Sequence, residues 1–140
     1  MTENQDFKNK IEDMTAEEVA EQQKKIIEME TPSIETLEFL YDDGGVVTYE
    51  TDELTAVCPM TGLPDFYTLR IEYTPDKHIP ELKSLKMYTI WYRNIPILHE
   101  HLATKIFDDF SKAVSPKTLK LELIAAVRGG VVSTVTKELQ

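Results

Sequence analysis

The chain has 140 residues and a mass of 16.1 kDa, the size of one domain, with 41% hydrophobic residues available for a core. Its formal charge of -10 and pI near 4.7 repel phosphate backbones and anionic lipid, which argues against nucleic-acid and membrane partners. A lone cysteine, Cys58, excludes an intrachain disulfide and any zinc site built on paired cysteines; no apolar run approaches the roughly 18 to 20 residues of a membrane span, and Thr2, Glu3, Asn4 and Gln5 do not open a secretory signal, so a cytoplasmic protein is expected.

In chain order, residues 1–33 are rich in Glu, Gln and Lys, and Phe7, Ile11, Met14, Val19, Ile26, Ile27 and Met29 are too sparse for a firm helical stripe. An acidic arm or short helix is expected there, with the globular domain over 34–140. Asp42, Asp43, Gly44 and Gly45 signal a turn, Val46–Glu50 and Leu54–Cys58 two short strands, and Pro59–Pro64 a loop. Tyr67, Leu69, Ile71 and Tyr73 alternate with Thr68, Arg70 and Glu72, which predicts a half-buried strand. Leu82, Leu85, Met87, Tyr88 and Trp91 predict a helix over Glu81–Tyr92. Leu98, Leu102, Ile106, Phe110 and Val114, at steps of four, predict a second, ended by Ser115 and Pro116. Leu119, Leu121 and Leu123, the Gly129–Gly130 turn and Val131–Val135 read as a closing hairpin. The order implies an α+β domain, a four-stranded antiparallel sheet with two helices on one face.

Cys58 and Asp65 stand at the two ends of a loop stiffened by Pro59 and Pro64 and turned by Gly62. A thiolate can attack carbon and a nearby acid can protonate a nitrogen that gains charge, so the pair suits nucleophilic addition. The same residues also fit plainer roles, Cys58 as a small buried hydrophobe and Asp65 as a turn residue. Lys83 and Lys86, three apart, share one helix face and fit either a phosphate site or a solvated surface.

The stretch Cys58-Pro59-Met60-Thr61-Gly62-Leu63-Pro64-Asp65-Phe66 resembles the first motif of the NADPH-dependent 7-cyano-7-deazaguanine reductases, the QueF type of the tunnelling-fold superfamily. Glu81–Tyr88 resembles their second motif, and Arg93-Asn94, His99-Glu100 and Arg128-Gly129-Gly130 their later pairs and triplet. Leu63, Met87 and Leu98 depart from the residues common at their positions, and Leu98 replaces an aromatic just before His-Glu.

The resemblance implies reduction of the nitrile of 7-cyano-7-deazaguanine to 7-aminomethyl-7-deazaguanine, an oxidoreductase step of queuosine biosynthesis. It makes Cys58 the nucleophile, passing through a thioimide, and Asp65 the proton donor. By the same resemblance Pro80, Glu81, Leu82, His99 and Glu100 bind the substrate, while Lys83, Lys86 and Arg128 hold NADPH. No metal is implied. The implied assembly is a homo-oligomeric barrel, a decamer of two pentamers in short family members, with sites between subunits and sheet edges covered. Two other readings share features with this one. A tRNA-directed amidinotransferase would use the same cysteine but not the Glu81–Tyr88 motif; a non-catalytic pterin- or purine-binding module would keep the fold alone.

Overall fold

The computed structural model describes residues 14–140. Its elements are α1 (Ala16–Glu28), β1 (Thr36–Glu38), β2 (Val47–Val57), β3 (Pro64–Thr74), β4 (His78–Pro80), α2 (Leu82–Trp91), a 3-10 turn (Tyr92–Asn94), α3 (His99–Val114), β5 (Thr118–Arg128) and β6 (Val131–Glu138). Strands β2-β3-β5-β6 form an antiparallel sheet in that order, so β2 and β6 are its edges. The α+β class, the four-stranded sheet, the two central helices and the closing hairpin agree with the sequence reading.

Alternation sets the core. Tyr67, Leu69, Ile71 and Tyr73 on β3 lie directly opposite Ala125, Leu123, Leu121 and Leu119 on β5, and all eight are buried on one face. Leu102, Ala103, Ile106, Phe107, Phe110 and Val114 of α3 pack over that face, joined by Leu85 and Tyr88 of α2. Each such large side chain contributes about 1.5–3 kcal/mol. The buried tyrosine hydroxyls are satisfied locally: Tyr88 donates to Asp109 at 2.5 Å and lies 2.8 Å from the Tyr92 hydroxyl.

Two features differ from expectation. The two strands placed at Val46–Glu50 and Leu54–Cys58 are one strand, β2, broken by a bulge between Thr51 and Leu54 that adds one residue against β3. The periodicity slips there, which imitates a break between strands. A small ribbon, β1 with β4, was missed because its three-residue strands are too short for a visible period. Helix α1 falls within residues 1–33, where an acidic arm or short helix was expected. Thr15 caps α1 by accepting from Glu18 N–H at 3.1 Å, and Gln23 and Ile26 are buried against the domain. Phe7 and Ile11, named in the sequence reading of this segment, lie outside the described residues.

Candidate active site

Two bulges decide which side chains reach the site. Before its bulge β2 turns Val47, Tyr49 and Thr51 to the core face, as the partners of Tyr73, Ile71 and Leu69. The extra residue shifts the inward set to Leu54 and Ala56, and hence to Cys58 at the strand end. A second bulge adds one residue to β5 between Ala125 and Arg128. It turns Arg128 toward the same end of the sheet. Asp65 sits two residues before Tyr67, opposite Ala56, so a buried carboxylate takes the place of a core hydrophobe where β3 begins.

These residues share a cavity of about 230 Å³, lined by Cys58, Asp65, Leu98, His99, Arg128 and Ser133 among others. The turn that presents Cys58 is tightly held. Its N–H donates to Leu63 O at 2.9 Å and its carbonyl accepts from Gly62 N–H at 2.8 Å. Gly62 takes a φ of 71°, a left-handed conformation that costs glycine little. Gly129 and Gly130, at 56° and 80°, do the same in the turn after Arg128.

Burial pushes the Cys58 thiol up, but hydrogen bonds from the Thr61 hydroxyl, the Thr61 and Met60 backbone and Arg128 outweigh it, and the thiol ionises below its ordinary range. Arg128 is also ion-paired with Asp65 Oδ1, which has no formed hydrogen bond among the described residues. The guanidinium thus pairs with the acid in the cavity that the thiol also lines. The Tyr67 hydroxyl lies 3.5 Å from Asp65 Oδ2. Burial first, then the charges of Cys58 and Glu100, hold that phenol protonated far above its usual range. It is a neutral donor to the buried Asp65.

At the mouth, α3 begins with His99 and Glu100. His99 Nε2 is 3.0 Å from Glu100 Oε1 and 3.0 Å from Ser133 Oγ, so the ring is held between helix and β6. The Glu100 side chain is largely exposed and stays available to a ligand.

The fold thus gathers Cys58, Asp65, His99 and Arg128 around one cavity, with Glu100 beside His99. It does not bring Pro80, Glu81, Leu82, Lys83 or Lys86 to this cavity of the same chain. The Glu81 carboxylate caps α2, accepting from Lys83 N–H at 3.1 Å and Ser84 N–H at 2.6 Å. Leu82 and Lys86 line a second, larger cavity of about 950 Å³ between α2 and β2, together with Arg93 and Tyr49. Sequence reasoning missed Ser133 and Tyr67. Ser133 interrupts the inward side of an otherwise apolar strand start, and that was its available signal; Tyr67 is indistinguishable in sequence from the core residues that follow it.

A family model described as QueF-like protein matches residues 64–140. An NADPH-dependent 7-cyano-7-deazaguanine reductase of Syntrophus aciditrophicus (strain SB) is 50% identical over 93 residues, 66% of this chain and 66% of that protein. A protein of the same name from Chloroherpeton thalassium (strain ATCC 35110 / GB-78) is 43% identical over 109 residues, covering 77% of this chain and 94% of the relative. Among solved structures, the apo form of the archaeosine synthase QueF-Like superposes with a TM-score of 0.62 at 28% identity, over 66% of this chain and 91% of that one.

Proposed function

Since this chain belongs to the QueF-like protein family, we propose that it reduces the nitrile of 7-cyano-7-deazaguanine to the aminomethyl product with NADPH, through a thioimide on Cys58. The observation that carries this is the shared cavity of Cys58 and Asp65, with a thiol that ionises readily and a buried acid on the neighbouring strand. In the first step the Cys58 sulfur bonds to the nitrile carbon, one π pair moves to nitrogen, and Asp65 delivers the thiol's proton to that nitrogen. Charge develops on nitrogen beside Asp65, which is where a proton is needed. NADPH, when bound, supplies a hydride to the same carbon, and nitrile to amine consumes two.

Several residues fit that cofactor. Lys83 and Lys86 are exposed and have no carboxylate partner among the described residues, so both charges are available to phosphates in an otherwise acidic chain. Lys86 and Arg93 face the larger cavity, and Arg128 faces the smaller. In this reading Pro80, Glu81, Leu82, Lys83 and Lys86 complete the cavity of a neighbouring copy. Joining subunits at edges β2 and β6 to close a barrel would also pair the two open edges of the sheet.

Loss of NADPH absorbance on mixing protein, nitrile and cofactor, with the aminomethyl product seen by mass, tests the reading; ammonia incorporation without cofactor loss would point to the amidinotransferase instead. Two substitutions separate the ligands. Charge reversal in Lys86→Glu raises the KM for NADPH roughly tenfold while the KM for nitrile moves little. An equal rise in both would assign Lys86 to folding or assembly. Glu100→Ala weakens nitrile binding by roughly tenfold to a hundredfold, because a carboxylate accepts from both a ring N–H and an exocyclic amine of a planar base. Calorimetry on parent and variant with matched melting temperatures checks this, and unchanged affinity removes Glu100 from the site.

A further inference from the structure

We infer that Gln23, on a helix outside the stretch matched by the family model, is a positioning residue that sets the spacing between Cys58 and the His99-Glu100 pair. The inference rests on the proposed function for its meaning, though not for its geometry. Gln23 is 1% exposed, and its side-chain hydrogen bonds include three to one short segment and the turn that follows it. Its Nε2 donates to Pro96 O at 3.0 Å; its Oε1 accepts from Leu98 N–H at 3.0 Å and lies 3.0 Å from His101 Nδ1. That same segment is held from the other side by the nucleophile strand. Val57 N–H donates to Ile95 O at 3.0 Å, and Ile97 N–H donates to Val57 O at 3.1 Å.

Val57 immediately precedes Cys58, and Leu98 immediately precedes His99. One buried amide therefore grips the linker between the group that would attack the nitrile and the groups that would hold the base. Leu98 stands at the cap position of α3 and has no side-chain oxygen to offer there. Gln23 instead braces the helix start from another element, through the Leu98 N–H and the His101 ring. The helix that carries it is fixed at a second point, since Lys105 Nζ donates to Ile27 O at 3.0 Å, and Ile26 is buried in the core. Losing the Gln23 hydrogen bonds lets the segment relax, so the expected effect falls on nitrile recognition.

Gln23→Met keeps the length and apolar bulk of the side chain and removes its hydrogen bonds. The expected result is a KM for nitrile raised roughly tenfold with the KM for NADPH within about twofold, and Leu98 amide exchange at least about tenfold faster. Parent values for both the nitrile KM and Leu98 exchange overturn the inference, as does an equal rise in both KM values. Should Gln23→Met fail to fold, Gln23→Glu decides. It keeps the acceptor for Leu98 but repels the Pro96 carbonyl, so a selective rise in nitrile KM is expected and a parent value overturns the inference. A parent protein that reduces no nitrile would overturn the reductase reading instead. Gln23 is then judged on Leu98 exchange and on the rate of Cys58 alkylation, where two unchanged values in Gln23→Met overturn it and faster exchange with altered alkylation supports it.

Discussion

Cys58→Ala abolishes turnover, by at least about a thousandfold, and with it the covalent adduct that the parent forms with nitrile alone. The adduct needs no hydride, so intact-mass analysis without cofactor isolates the addition step. The thiol is only half-buried and belongs to no core cluster, so the variant should melt close to the parent. Loss of activity with retained stability is the signature of a nucleophile, whereas a structural cysteine would show the reverse. Because the Cys58 pKa is lowered and alkylation needs only the thiolate, the rate of Cys58 alkylation should rise with pH and level off below the ordinary thiol range. An alanine variant that still reduces nitrile would end the covalent mechanism.

Asp65→Asn slows reduction by roughly a hundredfold to ten-thousandfold, the usual worth of a positioned acid, while nitrile affinity changes little. A second, opposite effect should accompany it. Asp65 now neutralises Arg128; with a neutral amide in its place, the full guanidinium charge acts on Cys58 and favours its thiolate. Alkylation of Cys58 by iodoacetamide near neutral pH should then become faster in the variant whose turnover is slower. Damage to the fold would also expose Cys58 and slow turnover, so the two changes are read on a variant whose melting temperature matches the parent. Parent-rate reduction by Asp65→Asn would remove the acid role.

Much of the site was readable because its chemistry lies in contiguous motifs. Cys58 to Asp65 form one loop, and His99 with Glu100 open a helix whose apolar steps of four were plain. The α3 stripe and the alternation on β3 and β5 reflect single periods that burial enforces. What stayed hidden depends on distance or on broken period. The partners of Gln23 are some 75 residues away, and no local pattern marks a glutamine as buried. Arg128 could be assigned to cofactor phosphates by resemblance, but its pairing with Asp65 requires knowing that β3 and β5 are neighbours and that β5 carries a bulge. The separation of Lys83 and Lys86 from Cys58 is likewise a property of the fold and not of either motif.

The bulge between Thr51 and Leu54 also bears on how this chain can evolve. An insertion or deletion in an exposed connection usually changes little besides length, but β2 has no such freedom. Gaining or losing one residue there would exchange the inward and outward sets of every later position up to the thiol. The lineage can therefore vary Asp52 and Glu53 by substitution far more easily than by length. Related chains should conserve the number of residues between Tyr49 and Cys58 even where their identities drift.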